Sequence, residues 1–165
     1  MSRKSLLQEL QKRIAYTFLD PALLDRALTH TSFVKGDGKG SAHNERLEFL
    51  GDAVLELCIS EQLYERFPKW SEGEMTRARA RLVCEKALNG AARKEFGLQD
   101  FLLLGHGEES TGGRDKPSIL SDALEALIGA VYLDGGLEAA RGVILRFAEE
   151  MIASIAQEIN HKDDK

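Results

Sequence analysis

The spacing of apolar residues constrains the fold of this 165-residue chain more than any other feature. Leucine, isoleucine and valine recur with the 3.6-residue period of amphipathic helices, and the alternating pattern of a half-buried strand is almost absent. Only three prolines interrupt these patterns. A chain of this length is sufficient for about one domain with its own core. The sequence therefore predicts an all-α domain.

Capping residues and turn formers indicate where the helices begin and end. Asp20-Pro21 is typical of a helix start, with the aspartate as cap and the proline at the first helical position. Pro68 ends the long helix of the chain, and Asp134-Gly135-Gly136 separates the last two helices. The predicted helices span residues 5–14, 21 onward, 45–67, 71–92, 119–133 and 137–159, with glycine-rich loops at 36–41 and 105–113.

Composition limits the possible partners and locations of the protein. No apolar run reaches the roughly 18 residues of a membrane-spanning helix, and the basic N-terminus lacks the apolar core of a signal peptide. We therefore expect a cytoplasmic protein without a membrane partner. The net charge of −5 argues against ordinary nucleic-acid binding, for which phosphate neutralisation supplies much of the affinity. An acidic protein can nevertheless act on RNA when its carboxylates hold divalent cations that contact phosphate.

Two cysteines, Cys58 and Cys84, occur in helical patterns and lack a C-x-x-C spacing. None of the four histidines lies at zinc-ligand spacing from either cysteine, which excludes a four-ligand zinc site. We expect two buried free thiols, although the sequence leaves a structural disulfide open.

Two acidic patterns indicate a metal site. Glu45, Glu48 and Asp52 are spaced i, i+3, i+7 and fall on one face of the predicted long helix. No basic residue lies four positions from Glu48 or Asp52 to relieve the repulsion between these charges. A hard divalent cation, which takes oxygen ligands, would relieve it.

The second pattern consists of Asp122 and Glu125, again at i, i+3 on one face, with Ala126 and Gly129 beside them. Small residues there allow another backbone or a ligand to approach closely. Two crossing helices would bring four carboxylates together around one or two metal ions. Acidic pairs also occur on ordinary solvated helix faces, and spacing alone does not decide between these interpretations.

The segment HNERLEFLGDAVLEL, at residues 43–57, resembles the signature of the ribonuclease III family. Further family-like blocks follow the same order along nearly the whole chain, at residues 27–32, 72–77, 116–129 and 132–136. The resemblance implies the all-α fold of a ribonuclease III endonuclease domain, assembled as a homodimer. It also implies metal ligands at Glu48, Asp52, Asp122 and Glu125, of which Asp52 and Glu125 match the residues treated as catalytic.

Other residues match family positions with less definite roles. Glu45 and Glu72 match acidic positions lining the RNA-cutting valley, in contact with substrate or in support of the metal ligands. Phe49 matches an aromatic residue that inserts into the partner subunit, although a core phenylalanine is the alternative. Arg77 is a candidate for substrate binding, and the other basic candidates for phosphate contact are Arg79, Arg81, Arg93 and Lys94. Arg46 and Lys116 stand beside the acidic residues, where they could tune their electrostatics.

The resemblance implies an endoribonuclease specific for double-stranded RNA, with Mg²⁺ as cofactor and Mn²⁺ as a substitute. Hydrolysis would leave 5′-phosphate and 3′-hydroxyl ends. The substrates would be precursors of ribosomal, messenger and transfer RNA. Residues 1–160 are expected to form the catalytic domain, and 161–165 to begin a linker to a double-stranded-RNA-binding domain that this chain lacks. The alternatives are a non-cleaving RNA-binding or assembly module, and a helical carboxylate–metal hydrolase of small phosphoesters.

Overall fold

The computed structural model describes residues 1–34 and 42–163 of the chain. Seven α-helices account for most of the described residues: α1 (Arg3–Ile14), α2 (Pro21–Ala27), α3 (Glu45–Arg66), α4 (Glu72–Val83), α5 (Glu85–Ala91), α6 (His106–Ser110) and α7 (Pro117–Asp163). In this part of the chain, the strand-like pairing is a single parallel bridge between Thr29 and Leu103. The prediction of an all-α fold is confirmed, while the predicted loop at 36–41 lies outside the described residues.

The core of the domain lies where α3 packs against α7, the pair of helices with the most extensive contact. Four fully buried side chains represent this contact: Leu55, Ile59, Leu124 and Ile128. Because these residues recur with the helical period, they occupy one face of each helix. The acidic residues lie on another face of the same two helices. Apolar burial in the core therefore fixes which way the acidic residues face.

The backbones of α3 and α7 come together at two glycines. A Cβ atom added to Gly51 would overlap the carbonyl oxygen of Glu125, and it would lie 3.0 Å from the amide nitrogen of Gly129. A Cβ atom added to Gly129 would overlap the carbonyl oxygen of Leu47. Both contacts are with backbone atoms, which cannot move aside as a flexible side chain can. The two helices can cross this closely only because both positions are glycine.

A break at Gly136 divides α7 into two helical halves. Gly136 has φ 87° and ψ −179°, a conformation that residues with a Cβ rarely adopt. The neighbouring Asp134 carboxylate accepts hydrogen bonds from the Tyr16 hydroxyl at 2.6 Å and from the Leu19 and Asp20 amides at 2.8 and 2.9 Å. The break predicted at residues 134–136 is thus present, and Asp134 ties it to the turn before α2.

The single helix predicted over residues 71–92 is wrong. Cys84 has extended backbone angles, φ −70° and ψ 161°, and it separates α4 from α5. A π-helical turn, Ala92–Phe96, then continues α5. This bend lets the side chains of both Leu82 and Leu88 reach the core, where each is almost fully buried. Periodicity within each helix could not reveal the bend, because the apolar pattern continues across it.

Several other element boundaries also differ from the predictions. The expected loop at 105–113 contains the short helix α6, whose Glu108 accepts a hydrogen bond from the Lys116 ammonium at 2.6 Å. Helix α1 begins at Arg3 rather than at residue 5, because the Ser2 side chain caps it. Helix α7 continues to Asp163, beyond the expected end at 159. Helix ends depend on such local hydrogen bonds, which a periodic pattern does not record.

Both cysteines are free, which excludes the disulfide left open by the sequence. Cys58 is buried, as expected, but Cys84 is exposed at the bend between α4 and α5, so the expectation of a second buried thiol is wrong. No helix in the described part of the chain has the length and apolar character needed to cross a membrane.

The close crossing predicts a large effect for Gly51→Ala. The new methyl group would overlap the Glu125 carbonyl, and we expect the free energy of unfolding to fall by about 3 kcal/mol. Gly142→Ala is the matched control, because a Cβ at this helical position meets no atom within 4 Å. The control should raise stability by roughly 0.5–1 kcal/mol. Urea unfolding of both variants measures the difference, and equal midpoints would contradict the proposed crossing.

Candidate metal centre

Three carboxylates from the two crossing helices converge on one point. Ligand oxygens of Glu48, Asp122 and Glu125 all lie within 4.8 Å of one another, and all three side chains are partly buried. The side chain of Asp52 hydrogen-bonds to Glu125 and is more exposed than the other three. The structure therefore brings together the four carboxylates that the sequence singled out, as expected for two crossing helices.

Burial and mutual repulsion hold protons on this cluster. Burial is the main cause that raises the pKa of Glu48 to about 7, followed by the charge of Asp122 and a hydrogen bond to it. Burial is again the main cause that raises the pKa of Glu125 to about 9, followed by a hydrogen bond to Asp52 and the charge of Asp52. The raised pKa values favour the protonated forms of Glu125 and Glu48, which hydrogen-bond to Asp52 and Asp122 respectively.

Asp122 is influenced by residues from three other elements. Burial is the main cause that raises its pKa, whereas the hydrogen bond from Glu48 lowers it. The charges of Glu85, at the start of α5, and of Glu45 raise its pKa further, and His30 lowers it. Since His30 and Glu85 lie far from the acidic patterns in sequence, helical spacing could not identify them. His30 belongs to one of the family-like blocks, but no role was predicted for it.

The cluster fits a hard divalent cation. Its donor atoms are all carboxylate oxygens, the ligand type that Mg²⁺ and Mn²⁺ prefer. The protons shared within the two carboxylate pairs compensate part of the negative charge in the absence of a cation. A divalent ion could replace these protons and remove the repulsion between the carboxylates. Glu48, Asp122 and Glu125 are the residues placed to hold it, with Asp52 beside them.

Of the two acidic residues with less definite roles, one lies near the cluster. Glu45 is exposed, and its charge raises the pKa of both Glu48 and Asp122. Glu72 is the first residue of α4, where it accepts a hydrogen bond from the Thr76 hydroxyl at 3.0 Å. It lines a groove between α3 and α4, apart from the residues that perturb the four carboxylates. The structure therefore does not bring Glu72 to the cluster.

Most of the basic residues considered for phosphate contact form ion pairs within the subunit. The pairs in the described residues are Arg79–Glu56, Arg81–Glu158, Arg93–Asp115 and Lys94–Glu150. Lys116 pairs with Glu108 at 2.6 Å. Arg77 is exposed on α4, on the same helix as Glu72. Ion pairing makes four of these side chains less available for RNA, consistent with the acidic balance of the chain.

Phe49 is exposed rather than buried, so its interpretation as a core residue is wrong. Its side chain is 82% exposed although it lies one position after Glu48. It borders a cavity of about 620 Å³ whose wall also includes Arg26, His43 and Leu133. Leu133, also apolar, is 55% exposed. A large aromatic side chain and an apolar recess thus share one surface of the molecule.

Comparison with known proteins places this all-helical chain in one family. A family profile described as Ribonuclease-III-like matches residues 20–159. The chain is 51% identical over 159 residues to Ribonuclease 3 of Nitratidesulfovibrio vulgaris, and 47% identical over 161 residues to that of Vibrio vulnificus. These alignments cover 96% and 98% of the chain, but only 62% and 68% of the two relatives.

Solved structures give the same result. The nuclease domain of ribonuclease III from Campylobacter jejuni superposes with a TM-score of 0.81 at 48% identity, covering 87% of this chain and 96% of that domain. Dicer from Giardia intestinalis, at 24% identity and a TM-score of 0.65, shares the fold over 88% of this chain and 19% of its own length. The chain belongs to the ribonuclease III family, and it corresponds to the nuclease domain of that family.

The perturbed carboxylates predict an unusual pH dependence of the metal-free protein. Glu48 and Glu125 have pKa values of about 7 and 9, against an ordinary value of 4.5 in the unfolded chain. At pH values between about 4.5 and about 9 the folded protein binds more protons than the unfolded chain. The free energy of unfolding therefore falls as the pH rises through this range. Below about pH 4.5 both states are protonated, so this contribution to stability is fully present and no longer changes with pH.

Glu125→Gln should flatten this dependence, because a neutral amide replaces the most perturbed carboxyl group. With EDTA present, we expect the Tm to fall less between pH 7 and pH 9 in this variant than in the parent protein. Glu150→Gln, on an exposed part of α7, is the control and should follow the parent. Thermal melts across the pH range provide the measurement. A parent Tm that stays constant between pH 5 and 9 would contradict the shared protons.

Proposed function

We propose that this chain is the nuclease domain of an enzyme that hydrolyses double-stranded RNA with the help of a divalent cation. The observation that carries the proposal is the convergence of Glu48, Asp52, Asp122 and Glu125 at the crossing of α3 and α7. The close relatives carry the name Ribonuclease 3, which makes RNA the substrate class to test. The cofactor we propose is Mg²⁺, with Mn²⁺ as a substitute, because the donor set consists of carboxylate oxygens.

The four carboxylates differ in burial and position, and we propose their roles accordingly. When bound, a divalent cation supplies Lewis-acid polarisation of the phosphodiester and lowers the pKa of water. Glu48, Asp122 and Glu125 would hold it, because their oxygens converge from both helices, with Asp52 as the proposed fourth ligand. Asp52 is the exposed member of the cluster, so it can accept a proton at the side of the site that faces solvent. We assign Asp52 and Glu125 as the catalytic residues, with products that carry 5′-phosphate and 3′-hydroxyl ends.

We propose that the domain recognises RNA through the shape of the duplex and through a few contacts to its phosphates. A-form duplexes are recognised through phosphates and 2′-hydroxyls rather than through base edges. Arg77 and Glu45 are exposed, and we propose them as contacts to the substrate. Because the net charge is −5 and most other basic candidates form ion pairs, the affinity of this domain alone should be weak. Processing of ribosomal, messenger and transfer RNA precursors stays a prediction.

The domain boundary is also a proposal. The chain spans 62% to 69% of the first two curated relatives, which leaves room in them for a further domain. We propose residues 1–160 as the catalytic domain and 161–165 as the start of a linker to an RNA-binding domain. Such a domain would supply the positive charge that this chain lacks. The cytoplasmic location expected from the sequence stays a prediction.

We further propose that the domain acts as a homodimer through the surface around Phe49. An exposed phenylalanine beside an apolar recess allows each subunit to insert its ring into the recess of the other, which is the self-complementary arrangement of a two-fold dimer. Leu57 and Tyr64, also exposed on α3, extend the apolar surface. The related Campylobacter nuclease domain is described as having structural flexibility in a region involved in dimer formation. A dimer could also bring Glu72 of one subunit towards the cluster of the other.

Two alternatives make different predictions. A non-cleaving RNA-binding module would not need an intact cluster, and the presence of all four carboxylates argues for cleavage. A hydrolase of small phosphoesters would use the same cluster but would accept a mononucleotide. The same assay, run with duplex RNA and with a mononucleotide, separates these possibilities.

The proposed site predicts that Asp52→Asn and Glu125→Gln each lower the cleavage rate of duplex RNA by at least about 100-fold at ordinary Mg²⁺ concentrations. The control Glu150→Gln should cleave like the parent protein. Gel analysis of a long duplex, with and without Mg²⁺, provides the measurement. Full turnover by Glu125→Gln would exclude the assigned site, and faster hydrolysis of a mononucleotide would favour the phosphoesterase.

Replacing Phe49 tests the dimer. Phe49→Ala removes the exposed ring, so we expect the dimer to dissociate at least about 10-fold more readily, since aromatic anchors carry much of the binding energy of interfaces. Leu19→Ala is the control, because Leu19 is 87% exposed on the turn before α2. Sedimentation equilibrium of the three proteins measures the change. A parent protein that is monomeric at all concentrations would rule out this assembly.

A further inference from the structure

The bend at Cys84 borders a cavity that the proposed nuclease function does not use. The cavity has a volume of about 480 Å³ and lies between the end of α4, helix α5 and the second half of α7. Small-molecule sites in proteins commonly have volumes of about 300–1,000 Å³. The four carboxylates of the metal cluster are not among the described residues that line it. The cavity is therefore a separate place at which a ligand could bind.

The floor of the cavity is apolar. Phe147, on α7, and Ala91, at the end of α5, are both buried and both line the cavity. Ala87 and Met151 are partly buried beside them. Covering these side chains would remove apolar surface from water, which is favourable. A ligand of this cavity should therefore have an uncharged part that can lie against the floor.

The rim of the cavity is basic. Arg81 from α4, Lys86 from α5 and Lys94 from the π-helical turn all line it, and all three are exposed. Arg81 and Lys94 are two of the residues that the sequence offered for phosphate contact, and the bend at Cys84 brings them to one cavity although they belong to different elements. Lys86 forms no ion pair with the described residues. The rim should therefore attract an anion.

The ion pairs at the rim reduce its capacity for an anion but do not remove it. The Lys94 ammonium lies 3.9 Å from a carboxylate oxygen of Glu150, and these side chains are 84% and 91% exposed, so the pair is weak. Arg81 donates through Nη1 to Glu158 at 2.6 Å, and a guanidinium has further N–H donors for a ligand. Glu95 and Glu150 are the acidic residues of the lining, and both are exposed, so they can turn towards solvent.

Gly90 leaves space in front of the cavity. Glycine within a helix lowers the stability of that helix relative to alanine. A Cβ atom added to Gly90 would meet no atom within 4 Å, so packing does not require glycine at this position. Because Gly90 lines the cavity, a side chain here would extend from its wall into the open space. The space that glycine leaves for a ligand gives this residue a physical explanation.

An apolar floor and a basic rim together limit the chemistry of the ligand. An inorganic anion would contact the rim alone, and a neutral apolar compound would leave the basic side chains without a partner. Phosphate groups pair strongly with arginine and lysine. A nucleoside that carries a diphosphate group offers both parts at once, an uncharged ring system and a multiply charged end.

We propose that this cavity is a binding site for a nucleoside diphosphate. The phosphates contact Arg81, Lys86 and Lys94, and the nucleoside covers the floor beside Phe147 and Met151. The site does not depend on the proposed cleavage of RNA, since it uses none of the carboxylates of the metal cluster.

The thiol of Cys84 can report whether the cavity is occupied. Cys84 is exposed at the cavity wall whereas Cys58 is buried, so a maleimide should label Cys84 alone in the folded protein. Adenosine diphosphate (ADP), inorganic pyrophosphate and adenosine are added separately, with EDTA present so that no cation joins a phosphate to the carboxylates. We expect a saturable loss of labelling rate with ADP, and much less protection by either fragment at the same concentration.

Charge substitutions at the rim should act in opposite directions. Lys86→Gln and Lys94→Gln should each raise the ADP concentration for half-maximal protection about 5-fold, whereas Glu150→Gln should lower it about 3-fold. Lys12→Gln, exposed on α1, is the matched control and should behave as the parent protein does. The concentration is compared rather than the rate, because nearby charges also change the reactivity of a thiol.

A side chain at position 90 should block the cavity. Gly90→Leu is expected to weaken ADP binding at least about 10-fold, since the leucine occupies the space of the ligand. Gly142→Leu is the control, because a Cβ there also meets no atom within 4 Å but lies away from the cavity. Calorimetry is the measurement for this pair, because the leucine could itself shield Cys84 from the maleimide.

A parent protein that shows neither Cys84 protection nor a heat of binding with ADP would overturn the inference. Equal protection by pyrophosphate and ADP would also overturn it, since the cavity would then be a plain anion site. Parental ADP binding in Gly90→Leu and in both lysine variants would place the ligand elsewhere on the molecule. If Gly90→Leu does not fold, the opposite effects of Lys86→Gln and Glu150→Gln decide.

Discussion

The backbones of α3 and α7 are in direct contact at Gly51 and Gly129, and this contact determines where the carboxylates lie. It allows the two longest helices to cross without intervening side chains, so carboxylates one turn from the crossing come within reach of a single ion. A larger residue at either glycine would separate the helices. The same contact leaves the core packing of both helices undisturbed, because their buried leucines and isoleucines lie on other faces.

The crossing of α3 and α7 brings the carboxylates together, and it thereby also lowers the stability of the protein when no cation is bound. Carboxylates brought together in a partly buried place repel one another, and burial penalises their charge. Both effects raise the pKa of Glu48 and of Glu125, which favours the protonated forms of these side chains. A divalent cation would offset the repulsion between these carboxylates, so the arrangement fits a metal site. A local arrangement that lowers the stability of the fold often marks a functional site.

Segments outside α3 and α7 hold parts of these two helices in place through hydrogen bonds. Asp134 binds the turn before α2 to the break in α7, and the segment around His30 is hydrogen-bonded to Asn44 at the start of α3 and to Leu103 before α6. Phe49 lies on the same helix as the cluster, one position from Glu48, yet points into solvent beside an apolar recess. One helix therefore carries the cluster on one face and an exposed apolar surface on another.

Patterns along the sequence were sufficient to predict the helical class of the domain, the break near Gly136 and the acidic pairs, because a helix places residues three and four positions apart on one face. The packing of the helices was needed to show that the pairs meet, that His30 and Glu85 act on Asp122, and that Glu72 lies apart from the cluster. It also showed the bend at Cys84 and the exposure of Phe49. These features depend on contacts between residues distant in sequence, and a local period carries no information about which helices will cross or where.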